Sequence, residues 1–160
     1  MQAGESSGIT PCGLGARDVL RLEVGYPLHG NEITPETTPV DAHLMWVVRP
    51  DKGDFIGREA ILAVKAKGPK HALVGLTTHE RAIPRHGQTV LAESRVIGSV
   101  TSGTFSPTLG RAIALAYVEP SYAAIGTHVD VDIRGRSCAC EVVKTSFYKP
   151  GIPAQATTTK

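Results

Sequence analysis

Hydrophobic and polar positions follow two different rhythms along this chain, and the change falls near residue 68. Before it, apolar residues recur at helical spacing. Ala16, Val19, Leu20 and Val24 share one arc at about 100° per residue, which predicts a helix over 15–24 with that arc buried. Gly15 can serve as its N-cap with Asp18 at N3, Leu14 can staple to Val19, and Gly25 suits the left-handed position past the end. Residues 44–48, with the single tryptophan Trp46, read as a buried strand. A second helix is predicted from Gly57 to Lys67, with Ile56 stapled to Ile61, Gly68 as C-cap and Pro69 beyond it.

After residue 68 the apolar positions alternate with period two in short runs divided by turn residues. Strands are predicted at 73–77, 88–92, 96–101, 112–117, 129–133 and 137–143. Ala112, Ala114 and Ala116 form a small face against Ile113, Leu115 and Tyr117, as the taper of a closed barrel requires. Val129, Val131 and Ile133 should point inward, with Asp130 and Asp132 in solvent. About six strands in so short a span point to a small barrel or a Greek-key sandwich rather than an open sheet. The fold class is therefore α+β, mainly β. Three segments are predicted: 1–68 with two helices and a strand, a β domain over 69–150, and a polar, disordered tail over 151–160. Residues 1–12 read as loose. Residues 13–68 offer too little to bury themselves well, whereas the β domain has its own alternating core.

Composition narrows the function classes. The chain has 160 residues, 41% hydrophobic and 5% aromatic, so its core must be largely aliphatic. The net charge of +2 is spread along the chain, which argues against a nucleic-acid stripe. No apolar run reaches the roughly 18–20 residues of a membrane span, and the N-terminus has no signal-peptide core, so no membrane role is expected. Three cysteines suit a reducing compartment. Cys138 and Cys140 share one strand face and read as small buried side chains. The histidines lack zincin spacing, so no metal is expected.

Several polar residues leave alternatives open. Arg17 in the first helical turn opposes the dipole by about 0.3–1 kcal/mol, so it either marks an anion site or is simply solvated. Glu23 falls inside the apolar arc and either curls out or is buried against a backbone turn. The run from Thr101 to Gly110 reads as a loop of turn-forming residues without a phosphate-binding lysine. Arg81, Arg85 and His86 bracket Ile83-Pro84 and form either an anion- or acidic-partner-binding loop or a solvated hairpin end. No nucleophile has an adjacent base, so no catalytic residue is assigned in this chain.

Gly13-Leu14-Gly15-Ala16-Arg17-Asp18, Leu20-Arg21-Leu22-Glu23 and Pro27-Leu28-His29-Gly30-Asn31-Glu32 together resemble the aminomethyltransferase of the glycine cleavage system, the T-protein. The likeness continues through Lys52-Gly53-Asp54-Phe55-Ile56-Gly57-Arg58-Glu59-Ala60, Ile83-Pro84-Arg85 and Gly103-Thr104-Phe105-Ser106-Pro107 to Val142-Val143-Lys144, over roughly residues 9–149. It implies the tail of the folate-binding central domain followed by the C-terminal barrel. It also implies tetrahydrofolate as the one-carbon acceptor, lipoylated H-protein as donor and partner, and ammonia as a product. Within the family the arginine matching Arg17 contacts folate or the aminomethyl substrate, and the stretch matching 101–110 helps shape the cavity wall. The catalytic aspartate and most of the folate pocket belong to an N-terminal half that this sequence lacks, so the chain alone is expected to be inactive. The expected location is cytoplasmic, or the mitochondrial matrix in a eukaryote. Two other readings are a folate-binding module, from a demethylating flavoenzyme or a non-catalytic relative, and a barrel binding module without activity.

Overall fold

The structure, a computed structural model, describes residues 2–148; the predicted tail at 151–160 lies outside them. A mixed α+β N-terminal region precedes a closed six-stranded antiparallel β-barrel. The helices are α1 (Leu14–Glu23) and α2 (Arg58–Lys67). The strands are β1 (Ala72–Thr78), β2 (Thr89–Ala92), β3 (Arg95–Ser106), β4 (Arg111–Val118), β5 (His128–Ile133) and β6 (Arg136–Val143). The barrel order is β1-β4-β3-β2-β5-β6, with β6 returning to β1 through Gly75↔Val143, Leu76↔Val142 and Thr77↔Glu141. Closure removes the open sheet edges that six short strands would otherwise expose.

Alternation gives the barrel two cores. Val74, Leu76, Val90, Val100, Ala114, Ala116, Val131 and Val142 fill the interior, together with Cys138 and Cys140. Val129 and Val131 point in as predicted, Ile133 is half-buried at the rim, and Asp130 and Asp132 are half-exposed. The large side chains of β4 point the other way. Ile113 and Leu115 join Leu73 and Leu22 of α1 in an outer cluster, flanked by Tyr117 and Phe147.

The helices depart more from expectation. Gly13, not Gly15, precedes α1, which puts Asp18 a half-turn past N3. Leu14 is 84% exposed and staples nothing. The predicted buried arc is wrong: Ala16 and Leu20 are exposed, while Leu22 and Glu23 are buried, so the helix is turned by roughly one residue step, about 100°. Gly25 does take the left-handed conformation, with φ +76°. The Gly25 and Tyr26 amides donate to the Leu22 and Arg21 carbonyls, closing the helix end as a Schellman motif. A Cβ on Gly25 would sit 2.3 Å from the Thr145 carbonyl oxygen, so the segment after β6 packs directly on this turn.

Gly57 and Gly68 flank α2 as expected, yet Ile56 is wholly exposed and no staple forms. Residues 44–48 are not a strand. Met45–Val47 is a 3-10 turn, and Trp46 is 72% exposed. Aromatic and β-branched composition suggested a strand there, but among the described residues no strand pairs with it. Gln2–Ser7 winds into a 3-10 helix that buries nothing. No described helix is long and apolar enough to cross a membrane.

Candidate functional site

The predicted loop at 101–110 is mostly strand. β3 runs on to Ser106, and only 107–110 turn. The β3–β4 register shifts between Val100 and Ser102: Val100 lies opposite Ala116, and Ser102 lies opposite Leu115. Thr101 is thus the extra residue of a bulge, which reverses the inward–outward alternation. Val100 stays inside the barrel, while Ser102 and Ser106 turn to the outer face, toward α1. Both serines are buried, and each meets a carboxylate from the N-terminal region.

At the first meeting point, Glu32 is fully buried and accepts three donors: Ser102 Oγ at 2.5 Å, the Leu28 amide at 2.8 Å and Arg21 Nη1 at 2.9 Å. Arg21 also donates from Nη2 to Ser102 Oγ at 2.9 Å and from Nε to Asp18 Oδ1 at 2.8 Å. Asn31 Nδ2 reaches Ser102 Oγ at 2.9 Å and the Thr101 carbonyl at 3.1 Å. A buried ion pair is tolerable only when its remaining valences are met, and among the described residues no buried side-chain polar atom is left without a partner. Tyr117 donates its hydroxyl to the Glu32 carbonyl at 2.8 Å. Burial, with the Asp41 and Glu32 charges behind it, pushes the Tyr117 phenol up to about 12, so it remains a donor.

At the second, Glu23 is buried and accepts from Ser106 Oγ, which in turn accepts the Leu109 amide at 3.0 Å. The Glu23 carbonyl takes the amides of Phe147 at 3.0 Å and Tyr148 at 2.8 Å. Of the two fates open to Glu23 the structure takes burial, with a strand-end hydroxyl rather than a backbone turn as the carboxylate's partner.

The outward side of α1 borders an open cleft of about 860 Å³. The cleft is lined by Ala16 and Leu20 of α1 together with Val24, Tyr26, Thr108 and Tyr148, and Glu23 is also among its lining residues. Arg17 is exposed at this cleft, and no described residue bonds its guanidinium. An apolar trough with a free planar cation suits a flat ring carrying an acidic group, because the guanidinium fork matches a carboxylate.

The Arg81–His86 stretch is not wholly solvated. Arg85 Nη1 donates to the Gly103 carbonyl at 3.1 Å, His86 Nδ1 lies 2.7 Å from the Thr101 carbonyl, and Pro84 is buried. Gly103 permits this approach, since a Cβ there would sit 2.0 Å from the Pro84 carbonyl oxygen. Arg81 remains exposed. Burial, followed by the neighbouring Cys138, pushes the Cys140 thiol well above its usual range, so it behaves as a packing residue. Among the described residues no three His, Cys, Asp or Glu side chains gather as a metal site.

Sequence reasoning singled out Arg17, which the structure leaves exposed at the cleft, and missed the Arg21–Glu32–Asn31–Ser102 network. The Asp18–Arg21 spacing was a readable i, i+3 pair. Arg21 meets Glu32 across 11 positions, and the bonds to β3 join residues 70 or more positions apart through a bulge that no local pattern announces.

Residues 71–149 match the family model described as glycine cleavage T-protein C-terminal barrel domain, and residues 1–52 match the one described as GCVT N-terminal domain. The aminomethyltransferase of Rippkaea orientalis is 52% identical over 144 residues, covering 89% of this chain and 39% of the relative. That of Streptomyces coelicolor is 53% identical over 152 residues, covering 92% and 41%. The crystal structure of glycine cleavage system aminomethyltransferase T from Bartonella henselae superimposes with a TM-score of 0.84 at 40% identity, over 89% of this chain and 40% of that one. The chain spans about two fifths of the length of the curated relatives it matches.

Proposed function

The chain belongs to the glycine cleavage T-protein (GCVT) family, its second half being that family's C-terminal barrel domain, and on this premise we propose that it is the C-terminal part of an aminomethyltransferase. The reaction would move a one-carbon unit from the aminomethyl-lipoyl arm of H-protein to tetrahydrofolate, with release of ammonia, in glycine catabolism. The proposed division is 1–68 as central-domain tail and 69–150 as barrel domain. The proposed setting is cytoplasmic, or the mitochondrial matrix in a eukaryote.

The observation that carries the reading is the α1 cleft. Its residues fit one wall of a folate site: Leu20, Val24 and Tyr26 offer flat apolar contact, and Arg17 offers a cation no described residue uses. Tetrahydrofolate, when bound, supplies the amine nitrogens that accept the one-carbon unit. The chain's part is to bind and orient. Arg17 would hold an anionic group of the ligand, and the Glu23–Ser106 and Arg21–Glu32 bonds would lock α1 so that Arg17 keeps its place on the wall. The remaining pocket and the proton-handling carboxylate would come from the N-terminal half. The 160 residues alone are therefore expected to bind weakly and not to turn over.

Arg17→Ala in a complete enzyme should cost about 1.5–3 kcal/mol of folate binding, the range for a hydrogen bond to a charged group. Calorimetry showing unchanged affinity would remove Arg17 from the site. Methylenetetrahydrofolate formed by the purified 160-residue chain with H-protein would contradict the division of labour.

A further inference from the structure

The barrel is splayed at one end. β1 and β6 pair only from Gly75↔Val143 to Thr77↔Glu141, while β6 continues along β5 to the two-residue turn Arg134–Gly135. Two contacts bridge the gap. Glu80 Oε1 accepts the Ala139 amide at 2.9 Å, and the Thr78 hydroxyl lies 3.5 Å from Cys138 Sγ. Beside them opens a cleft of about 560 Å³, bordered by Arg81, Arg134 and Arg136. An adjoining hollow shares Glu80, Arg81 and Ala82 with it and adds Arg111.

Among the described residues none of these four arginines is in an ion pair. Glu80 is the one carboxylate among the described residues that line either hollow, and it already accepts the Ala139 amide; Asp132, outside the lining, accepts the Gly135 amide at 2.7 Å. Four arginines against one lining carboxylate concentrate positive charge at this end of the barrel. Such a cluster costs self-repulsion, which an anion would relieve. The cleft is far larger than one oxyanion needs and falls in the range that holds small organic ligands. Ala82 and Ile133 line the same cleft and supply apolar surface to it.

We propose that this barrel mouth binds a small organic polyanion, with two or more carboxylate or phosphate groups bridging Arg81, Arg134 and Arg136 and its carbon body against Ala82 and Ile133. The site is separate from the Arg17 cleft and does not depend on that reading.

The test is a titration of the ¹⁵N-labelled 160-residue chain, followed by amide shifts, with citrate and with inorganic tripolyphosphate. Saturable shifts at Glu80, Gly135 and Ala139 are expected. Citrate alone would mark the natural ligand as a polycarboxylate, tripolyphosphate alone as a phosphate ester, and both as recognition by charge spacing. The R134Q/R136Q double variant should weaken binding by about tenfold or more. Arg95→Gln, at the opposite end of β3 and paired with Glu119, should leave it unchanged, and the same spectra show that both variants are folded. No saturable shift with either probe would overturn the proposal. So would equal binding by the double variant, or saturable shifts from a short RNA but from neither probe.

Discussion

In β4 every residue from Ala112 to Ala116 is buried, whereas in α2, of similar length, none is. The strand finds partners on both sides, β1 and β3, and on both faces, the barrel interior and the α1 cluster. The helix finds no comparable surface among the described residues. Period-two alternation in a closed barrel carries its own partner with it, since the inward face of each strand is completed by the inward faces of the others. An amphipathic helix declares only that one side wants cover. α1 lies between these cases. It is held by one apolar plug, Leu22, and by two buried carboxylates, Glu23 and Glu32, bonded to serines of a bulged strand, not by the arc its sequence advertises.

Substitutions that strike the docking of α1, the barrel and the exposed stretch should therefore separate. The largest effect is expected from Glu32→Ala. It strips an acceptor from Arg21, Ser102 and the Leu28 amide at once and should cost about 3–5 kcal/mol, as for a broken buried pair. The loss should appear in the protection of α1 amides while the strands keep theirs; equal loss in both would mean that the two regions form one cooperative unit. Next, Leu76→Ala should lower barrel stability by about 2–5 kcal/mol in urea unfolding. Trp46→Ala should stay within about 0.5 kcal/mol, and a cost as large as that of Leu76→Ala would reveal cover over the 3-10 turn.

The smallest expected effect depends on pH. Burial would raise the Asp41 carboxyl, but the Thr38 hydroxyl and amide and the His71 and Lys70 amides outweigh it and hold the group below its usual value. The folded state thus favours the charged form. Its contribution is complete above the ordinary carboxylate range and is lost as pH falls through the lowered folded value. The Asp41 carbonyl also accepts the Leu73 amide at 3.0 Å, so this turn joins the N-terminal region to β1. Asp41→Asn should flatten the acid limb of the stability profile; an unchanged limb would show that Asp41 takes no part in it.

The same contrast explains what was legible beforehand. The six strands, the inward valines of β5 and the shared face of Cys138 and Cys140 follow from alternation alone, because neighbouring strands enforce it. Glycine punctuation at Gly25, Gly57 and Gly68 was readable because backbone conformation there is a local property. The strand expected at 44–48 failed because pairing is not local. The loop expected at 101–110 failed for a subtler reason. Thr101, Ser102, Thr104 and Ser106 look like turn formers in isolation, yet the bulge sets Ser102 and Ser106 against Glu32 and Glu23, which satisfies hydroxyls that would otherwise favour solvent. Arg17 stood out by its electrostatics. Arg21, only four residues on, gave no such sign, since its partners Glu32 and Ser102 come together only in the folded chain.

Native-state hydrogen exchange of the 160-residue chain tests most directly whether the barrel stands on its own while the preceding region leans on it. The account predicts slow amides through the paired strands from Ala72 to Val143, intermediate protection at the C-terminal end of α1 around Leu22, and fast exchange throughout Arg58–Lys67. Protection in α2 equal to that of β1 and β4 would contradict it.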